Sequence, residues 1–194
     1  MQAGLDVLAD EGWERFTLAR ACERAGVSVG LLYRRFENRE AFLEALQDRW
    51  LTRVEEQQAV MLEVPVDWLG GGLEGALRRA VDGVVGSARR EERLLRVLGE
   101  HGTFDAAGLA RLSRLTRRYG AWFRAGVLHH REAIAHDDPE RAVDFVYRLV
   151  IDATVRRGNF GDEFDTGRSS GDWDAFAAEL WSVGCAYLLR PQRV

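Results

Sequence analysis

The chain contains no lysine: all 27 of its basic residues are arginine. This excludes chemistry that needs a side-chain primary amine, such as a Schiff base or the lysine of a Walker phosphate loop. Prolines are scarce. Pro65, Pro139 and Pro191 each stand where a helix should start or stop, not inside one. The two cysteines, Cys22 and Cys185, are far apart and form neither a C-x-x-C pair nor a disulfide framework. Each falls on an apolar helical stripe, which predicts buried free thiols and a reducing compartment. No stretch reaches the roughly 18 apolar residues that span a bilayer. The N-terminus carries Asp6, Asp10 and Glu11 and no basic leader region, so no signal peptide is expected and the predicted location is cytoplasmic. Sustained apolar/polar alternation is missing as well, which argues against strands. G-x-S-x-G, Walker and H-E-x-x-H patterns are all absent, so an enzyme is not expected. His129, His130 and His136 cluster, but no acid or cysteine completes a ligand set around them, so neither a metal nor a cofactor is implied.

What is present is a helical pattern. Of 194 residues, 46% are apolar, enough for one core or for a small module plus a larger one. Apolar spacing of three and four recurs almost throughout, which predicts an all-α protein of about nine helices. The first runs from Gln2 to Glu11, closed by Gly12. Thr17 caps a second over Leu18 to Ala25, and Gly26 stops it. Ser28 caps a third, Val29 to Phe36. Asn38 caps a long fourth carrying Phe42, Leu43, Leu46, Trp50 and Val54. A stripe of Leu69, Leu73, Leu77, Ala80, Val84 and Ala88 marks the next helix, and Leu94, Leu95, Val97 and Leu98 a short one after it. Leu109 to Phe123 forms another long helix. Asp138-Pro139-Glu140 opens a further one with a capping acid and proline in its first turn. Residues 156–172, rich in Gly, Asp and Ser, predict a loop before a last helix opened by Asp172 or Asp174.

Residues 17–36 read as helix, glycine turn, helix: a helix-turn-helix. Leu18, Ala21, Cys22 and Ala25 supply the packing face of the first helix. Gly26 supplies the left-handed turn, and Leu32 and Phe36 anchor the back of the second helix. That leaves Ser28, Val29, Gly30, Leu31, Tyr33 and Arg34 outward, the arrangement by which a recognition helix reads a major groove. Overall charge gives no case for wholesale nucleic-acid binding, because 27 arginines face 31 acids. Locally, six arginines between Arg15 and Arg39 face only Glu23 and Glu37, which predicts a basic patch on an acidic protein.

The order and spacing of these residues resemble the DNA-binding domain of the TetR/AcrR family of transcriptional regulators. The matching positions are Gly12, Thr17, Ala25-Gly26-Val27-Ser28-Val29-Gly30-Leu31-Leu32-Tyr33-Arg34-Arg35-Phe36, Arg39-Glu40 and Leu43. The resemblance implies phosphate contacts at Thr17, Tyr33 and Arg39, with Arg35 also facing the DNA backbone. It places Ser28, Val29, Gly30, Leu31 and Arg34 on the base-reading face. Arg34 has the fork for a bidentate guanine contact, and Val29 and Leu31 suit thymine methyls. Two departures stand out: Arg39 replaces the usual lysine, and Met1 lies where the first helix of family members has already begun.

The resemblance further implies a DNA-binding domain over residues 1–46 and a ligand-binding and dimerisation domain over 47–194. Such a homodimer would bind a palindromic operator as a repressor and be released by a small-molecule effector, its identity unknown. The expected effector site is His101, Phe104, Tyr119, Trp122, Phe123, Tyr147, Arg148 and Asp152. The expected dimer face is Val143, Val146, Val150, Phe176, Leu180, Val183 and Tyr187. The competing expectation is a helical adaptor that no longer binds DNA.

Overall fold

The computed structural model describes residues 1–63, 70–101, 104–161, 167 and 171–190. Among them there are eight α-helices, a single 3-10 turn and no strand. In order they are α1 (Gln2–Glu11), α2 (Leu18–Ala25), α3 (Val29–Tyr33), α4 (Arg39–Leu62), α5 (Gly72–Glu100), α6 (Ala106–Leu128), α7 (Pro139–Phe160) and α8 (Trp173–Leu189), with the 3-10 turn at Arg131–Ala133 between α6 and α7.

Short polar side chains start most of these helices. Thr17, Ser28, Asn38, Asp105, Asp138 and Asp172 each accept a hydrogen bond from the backbone N–H three residues on. This satisfies a donor that the first turn would otherwise leave orphaned. Asp172, not Asp174, is therefore the cap of α8. Pro139 at the first position of α7 costs no hydrogen bond there.

Three boundaries differ from the sequence pattern. The stripe at Leu94–Leu98 is no separate helix but the end of α5, which runs unbroken for 29 residues. Nothing between Leu73 and Leu98 caps or breaks the chain. Even Gly83 inside it serves packing, since a Cβ there would stand 2.7 Å from the Trp122 ring. Helix α3 is shorter than expected and ends at Tyr33. Helix α7 continues to Phe160, five residues into the expected loop. Pro65, Leu69 and Pro191, and residues 162–166 and 168–170 of that loop, lie outside the described residues.

The apolar residues form two cores. The first joins Leu5, Val7 and Leu8 of α1, Ala21 and Cys22 of α2, Leu32 of α3, and Phe42, Leu43, Leu46, Trp50 and Leu51 of α4. It also takes in Leu94 and Leu98 of α5 and Leu115 of α6. The second is built on α5, which packs against α6, α7 and α8 through Leu77, Val81, Val84, Phe123, Val143, Val146 and Leu180. The expected boundary after Leu46 thus falls inside the continuous helix α4, and the first core extends past it. Helices α4 and α5 are further tied by Glu91. Its buried carboxylate accepts from the Trp50 indole at 2.8 Å, from Arg53 at 2.5 Å and from Gln57 at 3.2 Å.

Candidate DNA-binding surface

Helix α2 ends because Gly26 takes the left-handed conformation, φ 67° and ψ 29°, and its N–H closes back on Cys22 and Glu23. A Cβ is strained at that φ, which is why glycine stands there. The chain reverses over Val27 and re-enters a helix at Ser28, whose side chain accepts from the Leu31 N–H at 3.3 Å. The turn places α3 on the outside of the molecule. Leu32 is 8% exposed and holds it to the first core, whereas Val29, Leu31 and Tyr33 are 37%, 46% and 53% exposed. Ser28, Gly30, Arg34 and Arg35 are exposed with them. Three large apolar side chains on one exposed turn are a poor surface for water and a suitable one for a partner.

Thr17 is also exposed, but its hydroxyl is engaged as the α2 cap, accepting from Arg20 N–H at 3.2 Å. Arg39 opens α4 and is half-buried. Its guanidinium carbon lies over the Trp13 ring at 5.3 Å and over the Phe16 ring at 5.9 Å. Arg35 lies over Phe36 at 5.7 Å.

The local charge is weaker than the linear count of residues 15–39 predicts. Arg20 pairs with Glu11, and Arg24 pairs with Asp10 at 3.0 Å. Those acids belong to α1, outside the window that was counted, and across residues 1–46 six arginines face eight acids. Folding therefore spends Arg20 and Arg24 on joining α1 to α2. The arginines turned outward beside α3 are Arg34 and Arg35.

The eight residues expected to form an effector site do not converge. His101 caps the C-terminal end of α5 and stacks on Trp13, with ring centroids 4.5 Å apart. Phe104 packs near Trp50, 5.9 Å between centroids. Both lie beside the N-terminal core. Tyr119, Trp122, Phe123 and Tyr147 are packed into the second core. The Tyr119 hydroxyl pairs with Ser87 Oγ at 2.5 Å, and the Tyr147 hydroxyl donates to the Thr116 carbonyl. Burial pushes both phenols above the usual tyrosine range, Tyr147 the further. Arg148 and Asp152 point outward from α7. The spacing placed all eight on helices but said nothing of which face each helix presents to which neighbour. A groove of about 450 Å³ does open between α4 and α6, lined by Glu44, Asp48, Leu51, Phe104 and Arg111 among others. Of the expected set, only Phe104 reaches it.

The expected dimer face also needs correction. Val143, Val146 and Val150 are at most 1% exposed and Leu180 is buried. They are core side chains within the single subunit, packed in the cluster built on α5. Phe176 is half-buried against Trp173. The opposite faces are open. Phe145 and Val155 on α7 and Val183 on α8 are 52%, 42% and 49% exposed. Tyr187 bridges the two helices, its ring 5.0 Å from that of Phe145. Phe145 and Val155 did not stand out in the sequence, because α7 carries apolar residues on more than one side and periodicity alone cannot say which side turns inward.

The fold and the exposed α3 define a class: an all-helical protein that presents a helix-turn-helix at its N-terminal end. Residues 1–46 match the family model described as bacterial regulatory proteins, tetR family. No curated protein matches the chain. Among solved structures, the fold is similar to that of a TetR transcription regulator from Haloarcula marismortui, with 17% identity, 97% of this chain and 95% of that one covered, and a TM-score of 0.64. It is similar to a protein from Rhodococcus sp. ascribed to the TetR-family transcriptional regulators, with 19% identity, 94% of both chains covered and a TM-score of 0.56. It is also similar to Salmonella enterica GusR, with 19% identity, 96% and 92% covered and a TM-score of 0.57. The chain thus shares its fold with solved TetR-family regulators, and its residues 1–46 match the model of that family's N-terminal domain. No helix among the described residues is long and apolar enough to cross a membrane.

Proposed function

We propose that the protein is a dimeric repressor that binds a palindromic operator through α2 and α3 and is released by a small-molecule effector. Residues 1–46 act as the DNA-binding domain and residues 47–194 as the effector and dimerisation domain. The observation that carries this reading is the exposure of Ser28, Val29, Gly30, Leu31, Tyr33 and Arg34 on a short helix anchored from behind by Leu32. In the proposed complex α3 enters the major groove. Thr17, Tyr33, Arg35 and Arg39 meet phosphates and fix the register. Arg34 reads guanine, and Val29 and Leu31 contact thymine methyls.

A two-fold dimer presents two such helices one turn of duplex apart. The open faces of α7 and α8, with Phe145, Val155, Val183 and Tyr187, are where the second copy sits. Exposed apolar side chains on two adjacent helices support this reading. An effector acts by preferring the subunit spacing that cannot straddle two adjacent grooves.

The test is selection of bound duplexes from a random pool, followed by binding of the recovered duplex across a salt series. A symmetric site and an affinity that falls steeply with salt are expected. A helical adaptor recovers no duplex, and that result overturns the reading.

A further inference from the structure

Three elements meet at Trp13, in the turn between α1 and α2. The Arg39 guanidinium, at the start of α4, lies over its ring. The His101 imidazole, at the C-terminal end of α5, stacks on it at an interplanar angle of 24°. Phe16, three residues on, lies beneath the same guanidinium and directly precedes the capping Thr17. Trp13 is half-buried, so its position answers both to the N-terminal helices and to α5.

We propose that Trp13 is a positioning residue for Arg39: its ring holds the guanidinium in the orientation that meets the DNA backbone, and its stack on His101 ties that orientation to the end of α5. The inference rests on the DNA-binding reading above. A long arginine side chain at a helix start has many rotamers, and free in water it loses most of that freedom on meeting a phosphate. Two aromatic faces restrict it beforehand. A guanidinium held over an aromatic face still has N–H groups to offer a phosphate oxygen. The same ring touches both Arg39 and His101, the residue that caps the end of α5. A displacement of the α5 end therefore reaches a DNA-facing charge through one side chain, without any change in α3.

The experiment compares wild type, Trp13→Leu, Trp13→Phe, Arg39→Ala and Trp13→Leu/Arg39→Ala on the duplex recovered with the wild type, across a salt series. Helical circular dichroism checks each fold. Losing one phosphate contact lowers the slope of log K against log salt by about 0.9, and by about twice that in a dimer. Trp13→Leu is expected to lose that much slope and roughly 10- to 100-fold in affinity per dimer. Trp13→Phe keeps the slope, and the double variant is no weaker than Arg39→Ala. A merely destabilised protein shows a smaller active fraction at unchanged slope. An unchanged slope in Trp13→Leu, or losses that add in the double variant, overturns the proposal while leaving wild-type DNA binding intact. Failure of the wild type itself to bind overturns the underlying reading too, and so is told apart. For the tie to α5, His101→Ala is expected to lower the slope as Trp13→Leu does, with His101→Phe restoring it. No change in His101→Ala removes that tie.

Discussion

Replacing Glu91 with alanine is expected to destabilise the fold strongly. The carboxylate is 5% exposed and serves three donors from α4 at once: the Trp50 indole, the Arg53 guanidinium and the Gln57 amide. Trp50 is itself only 2% exposed, so its N–H has no water to turn to. Leaving such a donor unpaired costs about 1–3 kcal/mol. Arg53 is partly open to solvent, with its side chain 23% exposed, so it recovers some hydration and its loss falls below the full penalty of an abandoned buried charge. Together these give about 3–4 kcal/mol. For a chain of this length each kcal/mol lowers the melting temperature by about 2–4 °C, so Glu91→Ala should fall by about 6–16 °C. Glu91→Gln keeps the shape and a carbonyl for the indole but loses the charge facing Arg53. It should cost about 1–2 kcal/mol, or about 2–8 °C. Calorimetry at one fixed protein concentration is the assay, because association shifts the apparent stability. A fall below about 2 °C for Glu91→Ala, or equal falls for the two variants, would refute the reasoning that a shared buried carboxylate ties α4 to α5.

Further outcomes follow from other residues. On the recovered duplex, Tyr33→Ala should weaken binding to all sequences alike, whereas Arg34→Ala should relax preference at one base step by about 1–3 kcal/mol. A competition series with single-base variants separates the two. Val183→Glu combined with Phe145→Glu should raise the dimer dissociation constant at least roughly tenfold in sedimentation equilibrium without changing helical content; no change would remove the α7–α8 face as the interface. Alkaline pH should weaken the fold. Burial, with Glu74 nearby, pushes the Cys185 thiol up to about 11, and burial raises the Tyr119 and Tyr147 phenols. In each case the neutral form is favoured in the native state. The unfolded chain ionises first, so this stability is complete below the ordinary cysteine range and is lost as pH rises toward 11. Urea midpoints that stay flat from pH 8.5 to 10.5 would contradict this. For the same reason Cys185 should alkylate far more slowly at pH 8 in the native protein than after unfolding.

Local chemistry carried much of the fold in the open. Gly12 and Gly26 as stops, and Thr17, Ser28, Asn38 and Asp138 as starts, act within three or four residues of themselves, so the first four helices and the opening of α7 could be read directly. The helix-turn-helix was legible for the same reason. Its turn needs one left-handed residue, and its outward face is what remains once Leu32 is assigned inward. Sequence could not say that Asp10 and Glu11 would neutralise Arg24 and Arg20, since that pairing exists only once α1 lies across α2. Nor could it choose which apolar side of α7 turns inward. Val143, Val146 and Val150 lost contact with solvent because α5 and α6 pack there, and Phe145 and Val155 were left outside. The meeting of Trp13, Arg39 and His101 joins residues from three separate elements. Its geometry comes from how those elements stack, because periodicity describes one helix at a time while contacts between helices depend on the packing of all of them.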